Sequence, residues 1–518
     1  MNITTKIWLL GLILSILAFH TAFAQLPGSL DSQFGTNGVA QAAFLTNPSE
    51  CRAMALQTDG KVILGGQYLT GGQGYMGFAR FNTNGTPDAG FGTGGKSSPF
   101  HDTTVNVAAI QVLSDGKILA AGTINGQPGI LRMTAAGGAD NTFGSGGVLK
   151  FDGSLSGIVD LKVLANGKMV GCGIADQGNG KLFAVFRLNA NGTPDNTFDS
   201  DGFAYANIGA QPTLTRMAIQ SDGKILLTGT VFSNTTKYDL ALFRMNANGG
   251  PDNTFGANGL VTTYVSANTA YEQGNAVEVQ WDGKIIVAGR ITNGSVVSFY
   301  VVRYNTNGTP DNSFGTNGGI TFSFNPTFDE AKAVAIQSDG KILVAGVTLN
   351  GANREFALAR LTKNGVLDNT FGTGGKVTSV IGTKAWGEAL ALQSNGKIIL
   401  GGYATVSNLS QFALARYNVG TVVGTQAADA GLHELRVFPN PAVAGTPVNL
   451  HLDLNRAQTC QFRLVGADGR LLQAYPAQFV AAGQQTLTLD LPAGLPAGRV
   501  ILQVETGSGI SATAIAIP

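Results

Sequence analysis

A three-part pattern recurs seven times along this chain, at intervals of 51 to 60 residues, and no other feature restricts the fold as much. The first part is Asp-x-x-Phe, with aspartate at Asp31, Asp88, Asp140, Asp195, Asp252, Asp311 and Asp368. The second is an Asp/Asn-Gly-Lys turn with its glycine at Gly60, Gly116, Gly167, Gly223, Gly283, Gly340 and Gly396. The third is a strand-like run ending in Arg80, Arg132, Arg187, Arg244, Arg303, Arg360 and Arg416. Units of this length are single supersecondary modules that cannot bury an apolar face alone, so neighbouring copies must pack on one another.

In the sixth unit four strand candidates fall at 319–324, 331–337, 341–347 and 356–361, the second and third joined by Ser338-Asp339-Gly340. Asp-Gly between two alternating apolar runs is a strong hairpin signal, because both central turn positions need positive φ. Each unit is therefore predicted to be an up-and-down four-stranded sheet. Seven such sheets in a ring predict an all-β fold, a seven-bladed β-propeller of four-stranded antiparallel blades. An open solenoid is the alternative, and the absence of polar capping repeats argues against it. The series starts on Asp-x-x-Phe-Gly and stops on a Phe-Ala-Leu-Ala-Arg strand, so the repeats are circularly offset. If the segment from Leu30 to Gly38 and the strand after it join the last repeat, the two ends close the ring in one composite blade.

Arginine and aspartate recur as a pair eight residues apart, from Arg80 to Asp88 through Arg360 to Asp368, and ring closure would bring Arg416 to Asp31. A ring of anion-binding or acidic sites is one reading. Repetition in every blade favours the other, a structural brace for the long loop between them, expected to join one blade to the next. Composition agrees with a turn-rich β protein: 72 of 518 residues are glycine and 13% are charged. The net charge of +1 offers no field for nucleic acid, and the repeated Lys and Arg account for 14 of the 33 basic residues.

The termini carry different signals. Lys6, an apolar run over 8–19 and Ala22-Phe23-Ala24 predict a signal peptide at 1–24, and hence an exported mature chain with no membrane span elsewhere. Cys51, Cys172 and Cys460 occupy separated strand positions and read as small buried residues rather than a disulfide framework. The propeller is expected over 25–418 and a linker over 419–434. From 435 to 518, runs at 448–454, 460–465, 485–491, 499–504 and 511–517, with a hairpin at Asp468-Gly469, predict a small Ig-like β-sandwich.

The repeats, through their Leu-Asp-x-Thr-Phe-Gly and Gln-x-Asp-Gly-Lys-Ile elements over 26–418, resemble delta-60 repeats, a propeller family of unknown function; the resemblance implies a propeller and no settled activity. The end domain, with Val437-Phe438-Pro439-Asn440-Pro441, a later Gly-Ala-Asp-Gly-Arg turn and a Leu-Pro-Ala-Gly segment, resembles the type A C-terminal sorting domain of the type IX secretion system of Bacteroidota. That resemblance implies passage across the outer membrane, with the secretion machinery as partner and a secreted or cell-surface destination. Arg499 stands where such domains usually carry a tyrosine-type residue, and the chain ends without their common basic tail.

Chemistry is sparse. After signal removal only His101, His433 and His451 remain, which argues against a histidine zinc site or a Ser-His-Asp triad in the propeller; no metal or cofactor is expected. Asp199-Ser200-Asp201-Gly202 replaces a Phe-Gly-x-x-Gly turn and lacks the other ligands of a calcium loop. In a meander the two constant turns share one face and the variable loops share the other, where recognition usually lives. Those loops carry Tyr68, Tyr75, His101, Tyr238, Asp239, Tyr271, Glu272, Phe328, Asp329, Arg354, Glu355, Trp386 and Glu388. Aromatics among polar and acidic groups suit stacking on a glycan or capture of an extracellular protein segment; alternatively each aromatic caps its own blade. The expected function is binding. The alternative is a carbohydrate-active hydrolase or lyase using carboxylates on the variable face.

Overall fold

The computed structural model describes residues 26–44, 47–100, 106–153, 155–176, 178, 180–235, 237–264, 271–393, 395–419, 432–439, 442–454, 457–466, 470–495, 498–506 and 509–517. The signal peptide, His101, most of the expected linker, Asn440-Pro441 and the Asp468-Gly469 hairpin lie outside these residues.

Seven four-stranded antiparallel sheets surround a central channel. Blade 1, from the channel outward, is Ser49–Leu56, Val62–Thr70, Gln73–Phe81 and Lys96–Ser97. Blade 6 is Asp329–Ile336, Ile342–Asn350, Asn353–Leu361 and Lys376–Ser379. The frame is one strand later than the sequence unit. The strand Gly319–Phe322, expected to open the sixth blade, pairs with Val296–Tyr304 and completes the fifth. The Asp-x-x-Phe-Gly loop folds the chain back onto the outer edge of the strand it has just left, so it is an intrablade connection. Alternation in that strand shows that it is a strand, but not which neighbour it joins.

Closure uses the chain start. Val39–Ala42 pairs antiparallel with Leu409–Tyr417, with Val39 opposite Ala415, and supplies the outer strand of blade 7. Adjacent blades share apolar layers. Ile63, Phe78 and Phe91 of blade 1 pack with Val107, Ile110 and Ile118 of blade 2. Phe34, Phe44 and Phe412 of the closing blade pack with Leu64 and Phe81 of blade 1.

All three repeated sequence parts meet at one node. In blade 4, Asp252 Oδ2 accepts from Arg244 Nε at 2.7 Å and lies 3.1 Å from Lys224 Nζ. Oδ1 accepts from the Thr254 amide and hydroxyl at 3.0 and 2.6 Å, an Asx turn. The Arg244 guanidinium lies 4.2 Å from the ring centroid of Phe255, and Nη1 donates to Thr306 O of the next blade at 2.6 Å. The same Asp–Arg–Lys–Phe arrangement is built at the other six nodes, including Asp31 with Arg416, Lys397 and Phe34 across the closure. Arg416 also reaches Thr83 O in blade 1. One node thus ties a hairpin turn, an intrablade loop and the next blade together.

These carboxyls sit below their ordinary value of 3.8. At Asp140 the Thr142 hydroxyl is the leading influence. At Asp368 burial is the largest influence and pushes upward, but the Thr370 hydroxyl and amide, Lys341 and Arg360 outweigh it and hold the group at about 2. A carboxyl depressed in the folded state stabilises the fold above its unfolded value, and that stability is lost as pH falls through the folded value. Thermal midpoints measured from pH 5 to pH 2 are therefore expected to be level down to about pH 4 and to fall steeply below it. A midpoint unchanged at pH 2 would rule out the nodes as stabilising elements.

Every innermost strand carries a β-bulge in its first half, after the second to fifth residue, and every second strand places a glycine under it. A Cβ on Gly289 would lie 1.7 Å from Gln273 O, and one on Gly229 1.8 Å from Thr213 O. Only a residue without a side chain lets the bulged backbone approach this closely. Gly289→Ala must push the inner strand away, with an expected loss of about 3 kcal/mol, readable as a lower denaturation midpoint in guanidinium; Gly157→Ala, a strand position in open space without positive φ, is the control for the loss of glycine itself.

The second domain is a sandwich. Leu432–Phe438, Pro447–Leu454 and Gly483–Asp490 form one sheet; Leu471–Ala474, Gln458–Gly466, Gly498–Thr506 and Gly509–Ile517 form the core of the other. Leu450, Leu452, Phe462, Leu464, Leu502 and Val504 fill the space between them. Arg463 pairs with Glu505 at 2.8 Å and lays its guanidinium 3.5 Å from the ring centroid of Trp281, in the Asp-Gly-Lys turn of blade 5. The three cysteines are buried free thiols. Among the described residues no helix is long and apolar enough to cross a membrane.

Candidate functional site

The propeller carries two populations of charge. One is the repeated node, on the face of the constant turns. The other lies on the innermost strands and differs from blade to blade. At the bulge, the extra residue is Arg52, Ala108, Val159, Thr215, Asn275, Lys332 or Glu388 in blades 1 to 7. A bulge re-aims its side chain out of the alternating pattern, and here it brings arginine, lysine and glutamate to the channel.

Around the channel these groups form a mixed-charge network. Arg52 donates from Nη1 to Glu388 Oε1 at 3.0 Å and from Nη2 to Glu50 Oε2 at 2.8 Å. Lys332 Nζ lies 3.0 Å and Arg290 Nε 3.6 Å from Glu330 Oε1, which also accepts from Asn275 Nδ2 at 3.1 Å. Deeper in, Asp160 accepts from the amides of Leu161 and Met217 at 2.8 and 3.1 Å and lies 3.7 Å from Lys162 Nζ. A cavity of about 150 Å³ is lined by Arg52, Asp160, Lys162, Arg216, Glu278, Lys332 and Glu388. Burial pushes the Glu388 carboxyl above the usual range against the opposing charges of Lys332, Arg52 and Arg216. Glu278 faces the channel, yet the protein packed around it and the charge of Asp160 push its carboxyl up, with Lys162 opposing.

The expected loop residues fall into three groups. Most aromatics stack on each other: Tyr68 on Phe44 and Tyr75 at 5.1 and 5.6 Å between centroids, Tyr238 near Phe232 and Tyr271 at 5.2 and 5.0 Å. Tyr68 donates to Ser98 Oγ, Tyr75 to Gln73 and Tyr238 to Gln211. They cap blades. A second group is buried: Glu272 and Asp329 have no exposed surface, and Asp239, Glu355 and Glu388 have almost none. Asp329 accepts from the amides of Phe324 and Asn325 at 2.7 and 3.2 Å and so shapes the loop before it, while burial raises its pKa. Glu355 accepts from Asn350 Nδ2 at 2.9 Å.

The third group converges. Trp386 stacks on Tyr403, with centroids 6.3 Å apart and planes 15° from parallel. Arg354 lies 4.5 Å from the Trp386 centroid and 6.0 Å from that of Phe328, and Arg52 lies 5.5 Å from that of Tyr403. The Arg354–Trp386–Tyr403–Arg52 stack leads from the variable loops of blades 6 and 7 into the channel network at Glu388. Loop reading found Arg354, Trp386 and Glu388 but missed Arg52, Asp160, Lys162, Arg216, Glu278, Arg290, Lys332 and Tyr403. The signal was available: Asp160 and Arg216 stand where five sister repeats carry alanine, and Lys162 and Glu278 where four do. At Asp199 to Gly202, Asp201 Oδ1 accepts from the Phe203 amide at 2.8 Å, and no group of metal ligands occurs among the described residues.

A family model described as a domain of unknown function (DUF5122) beta-propeller matches residues 57–91, 113–143, 164–198, 220–255, 280–314, 337–371 and 393–419. No curated protein matches the chain. Similar solved structures include a catalytically inactive virginiamycin B lyase from Staphylococcus aureus with quinupristin, at 12% identity over 73% of this chain and 98% of that one, TM-score 0.44. Others are the polysaccharide lyase Uly1, at 12% identity over 71% and 90%, TM-score 0.43, and Drosophila Plexin A in complex with Semaphorin 1b, at 10% identity over 76% and 88%, TM-score 0.41.

Proposed function

We propose, for a chain whose propeller is built of DUF5122 β-propeller repeats, that it is an exported binding or interaction module that engages its ligand at the variable-face mouth of the channel. One observation carries this reading: charge departs from the repeat at the inner-strand bulges of blades 6, 7 and 1, where Lys332, Glu388 and Arg52 line the channel and Arg52 joins a cation–aromatic stack. A scaffold needs no such asymmetry, since the nodes already brace all seven blades alike. Charges held by partners and by ring faces are preorganised and lose little freedom when a ligand arrives. The ligand classes that suit a polar, partly aromatic mouth are a glycan or an extracellular protein segment.

Export is proposed from the two termini. The apolar run before Gln25 supports a signal peptide, and the motifs at 437–441 and beyond support a sorting domain read by the type IX secretion machinery. The destination is then the medium or the outer cell surface. Fractionation of cells producing the full chain, with and without residues 435–518, tests it; retention of both forms in the periplasm, or secretion of both, would overturn the proposal.

A second reading has its own support. Glu388 and Glu278 both line the channel cavity and both hold protons more tightly than ordinary glutamates, as a general acid must. Against it, Glu388 is bonded to Arg52, which favours the charged form. The deciding experiment is a glycan and polysaccharide array with the purified chain, read for retention and for released product. Retention without product supports binding; product abolished by Glu388→Gln supports a carbohydrate-active enzyme.

A further inference from the structure

The geometry points to Arg354 as the anchor for an acidic group of the ligand, and hence to an acidic polysaccharide, bearing uronate or sulfate groups, as the ligand class. The inference rests on the mouth being the binding site and adds what it binds.

Among the described residues nine of the eleven propeller arginines face a carboxylate; the exceptions are Arg354 and Arg216, and Arg216 donates to Thr215 O within the channel lining. The seven node arginines each hold an aspartate, Arg52 holds Glu50 and Glu388, and Arg290 faces Glu330. Arg354 has no carboxylate partner among the described residues, and its buried Nε has no acceptor. Its position is nonetheless fixed, with the guanidinium over Trp386 and beside Phe328. The one carboxylate next to it in sequence, Glu355, projects to the other face of the strand, as alternation requires, and accepts from Asn350. A parallel bridge sets Arg354 against Lys384, an exposed lysine of blade 7. A second cation is thus carried beside Arg354 on the adjoining strand, and neither has a carboxylate partner among the described residues.

A guanidinium held flat by aromatic faces keeps its Nη edge free for the bidentate hydrogen bonds that carboxylate and sulfate oxygens accept. Arg354 lies over the Trp386 ring and Tyr403 stacks beside it, so recognition at this point is assigned to charge rather than to sugar stacking. Glu50 and Glu388 beyond Arg52 repel an anion, which limits the acidic group to the Arg354 end and leaves hydroxyl groups to the channel network.

The test is isothermal titration of the full chain with polygalacturonate, chondroitin sulfate, dextran, laminarin and polyglutamate. Both acidic polysaccharides are expected to bind, with affinity falling as salt rises. Arg354→Ala is expected to weaken them about 10-fold or more, and Arg354→Lys nearly as much, because an ammonium cannot offer two parallel donors. Lys181→Ala, an equal loss of charge in an exposed hairpin of blade 3, is expected to change affinity less than about 2-fold. Equal binding by Arg354→Ala, or binding of dextran or laminarin as tightly as the acidic polymers, overturns the inference and leaves the mouth as a glycan site. Binding of polyglutamate alone overturns the polysaccharide class. Binding of none of the five overturns both this inference and the glycan form of the reading it rests on.

Discussion

Asp252→Ala is expected to cost about 3 kcal/mol of folding stability, against under about 1 kcal/mol for Lys224→Ala at the same node. The difference follows from which charge is left behind. Arg244 is almost wholly covered, with 4% exposure, and its Nη1 already donates to Thr306 O and Gln220. Without Asp252 its Nε loses its acceptor while the side chain stays almost wholly covered. Lys224 keeps 28% of its side chain in solvent and can turn outward when its partner is changed. The two variants should separate clearly in guanidinium denaturation. Equal midpoints would mean that the node is an ornament of the turns and that interblade packing alone holds the ring. Because the seven nodes are alike but not in contact, two such substitutions in blades 2 and 5 should add.

Deletion of residues 26–44 is expected to have a larger effect still. It removes Phe34 and Phe44, each buried and worth about 2 kcal/mol of apolar transfer, and strips Arg416 of Asp31, a further cost of about 3 kcal/mol. It also uncovers the outer edge of Leu409–Tyr417, an open template for intermolecular pairing. The shortened chain should elute as aggregate in size-exclusion chromatography and lose the cooperative melt of the full chain. A synthetic peptide spanning 26–44, supplied in excess, should restore a monomeric elution position by adding the missing strand. A monomeric, cooperatively melting deletion mutant would show that six complete blades and a three-stranded seventh suffice.

Much of the architecture was legible in the sequence because its determinants are local. Gly-Lys turns demand positive φ at fixed glycines, and apolar alternation marks strands whatever lies beside them. The partnership of Arg360 with Asp368 could be read from constant spacing within one loop. Lys341 at the same node could not, because it arrives from a hairpin across the sheet. Strand 319–322 was recognised but assigned to the wrong blade, since pairing is a tertiary choice that alternation does not encode. The site was the least legible part. Aromatic loops drew attention by position, yet Tyr68 and Tyr75 spend their rings on each other and Tyr238 on Phe232 and Tyr271. Arg52 and Lys332 looked like ordinary strand residues, because a bulge is a property of register between two strands and leaves no mark on one of them. Comparison of each unit with its six sisters, rather than with an average strand, would have exposed them.

The composite blade also gives the chain a way to distinguish complete copies from incomplete ones. Asp31 and Arg416 are 385 residues apart, so the last stitch joins nearly the first residue of the propeller to nearly its last. Closing a loop of that length is slow compared with forming any one hairpin, and it comes after the local pairings are made. A chain cut short within any repeat can build the blades it has, yet its first strand finds no partner and stays an open edge that proteases and other chains can reach. The offset that hides both ends therefore works as a receipt for full-length synthesis: only a molecule that possesses its seventh repeat can put its beginning away.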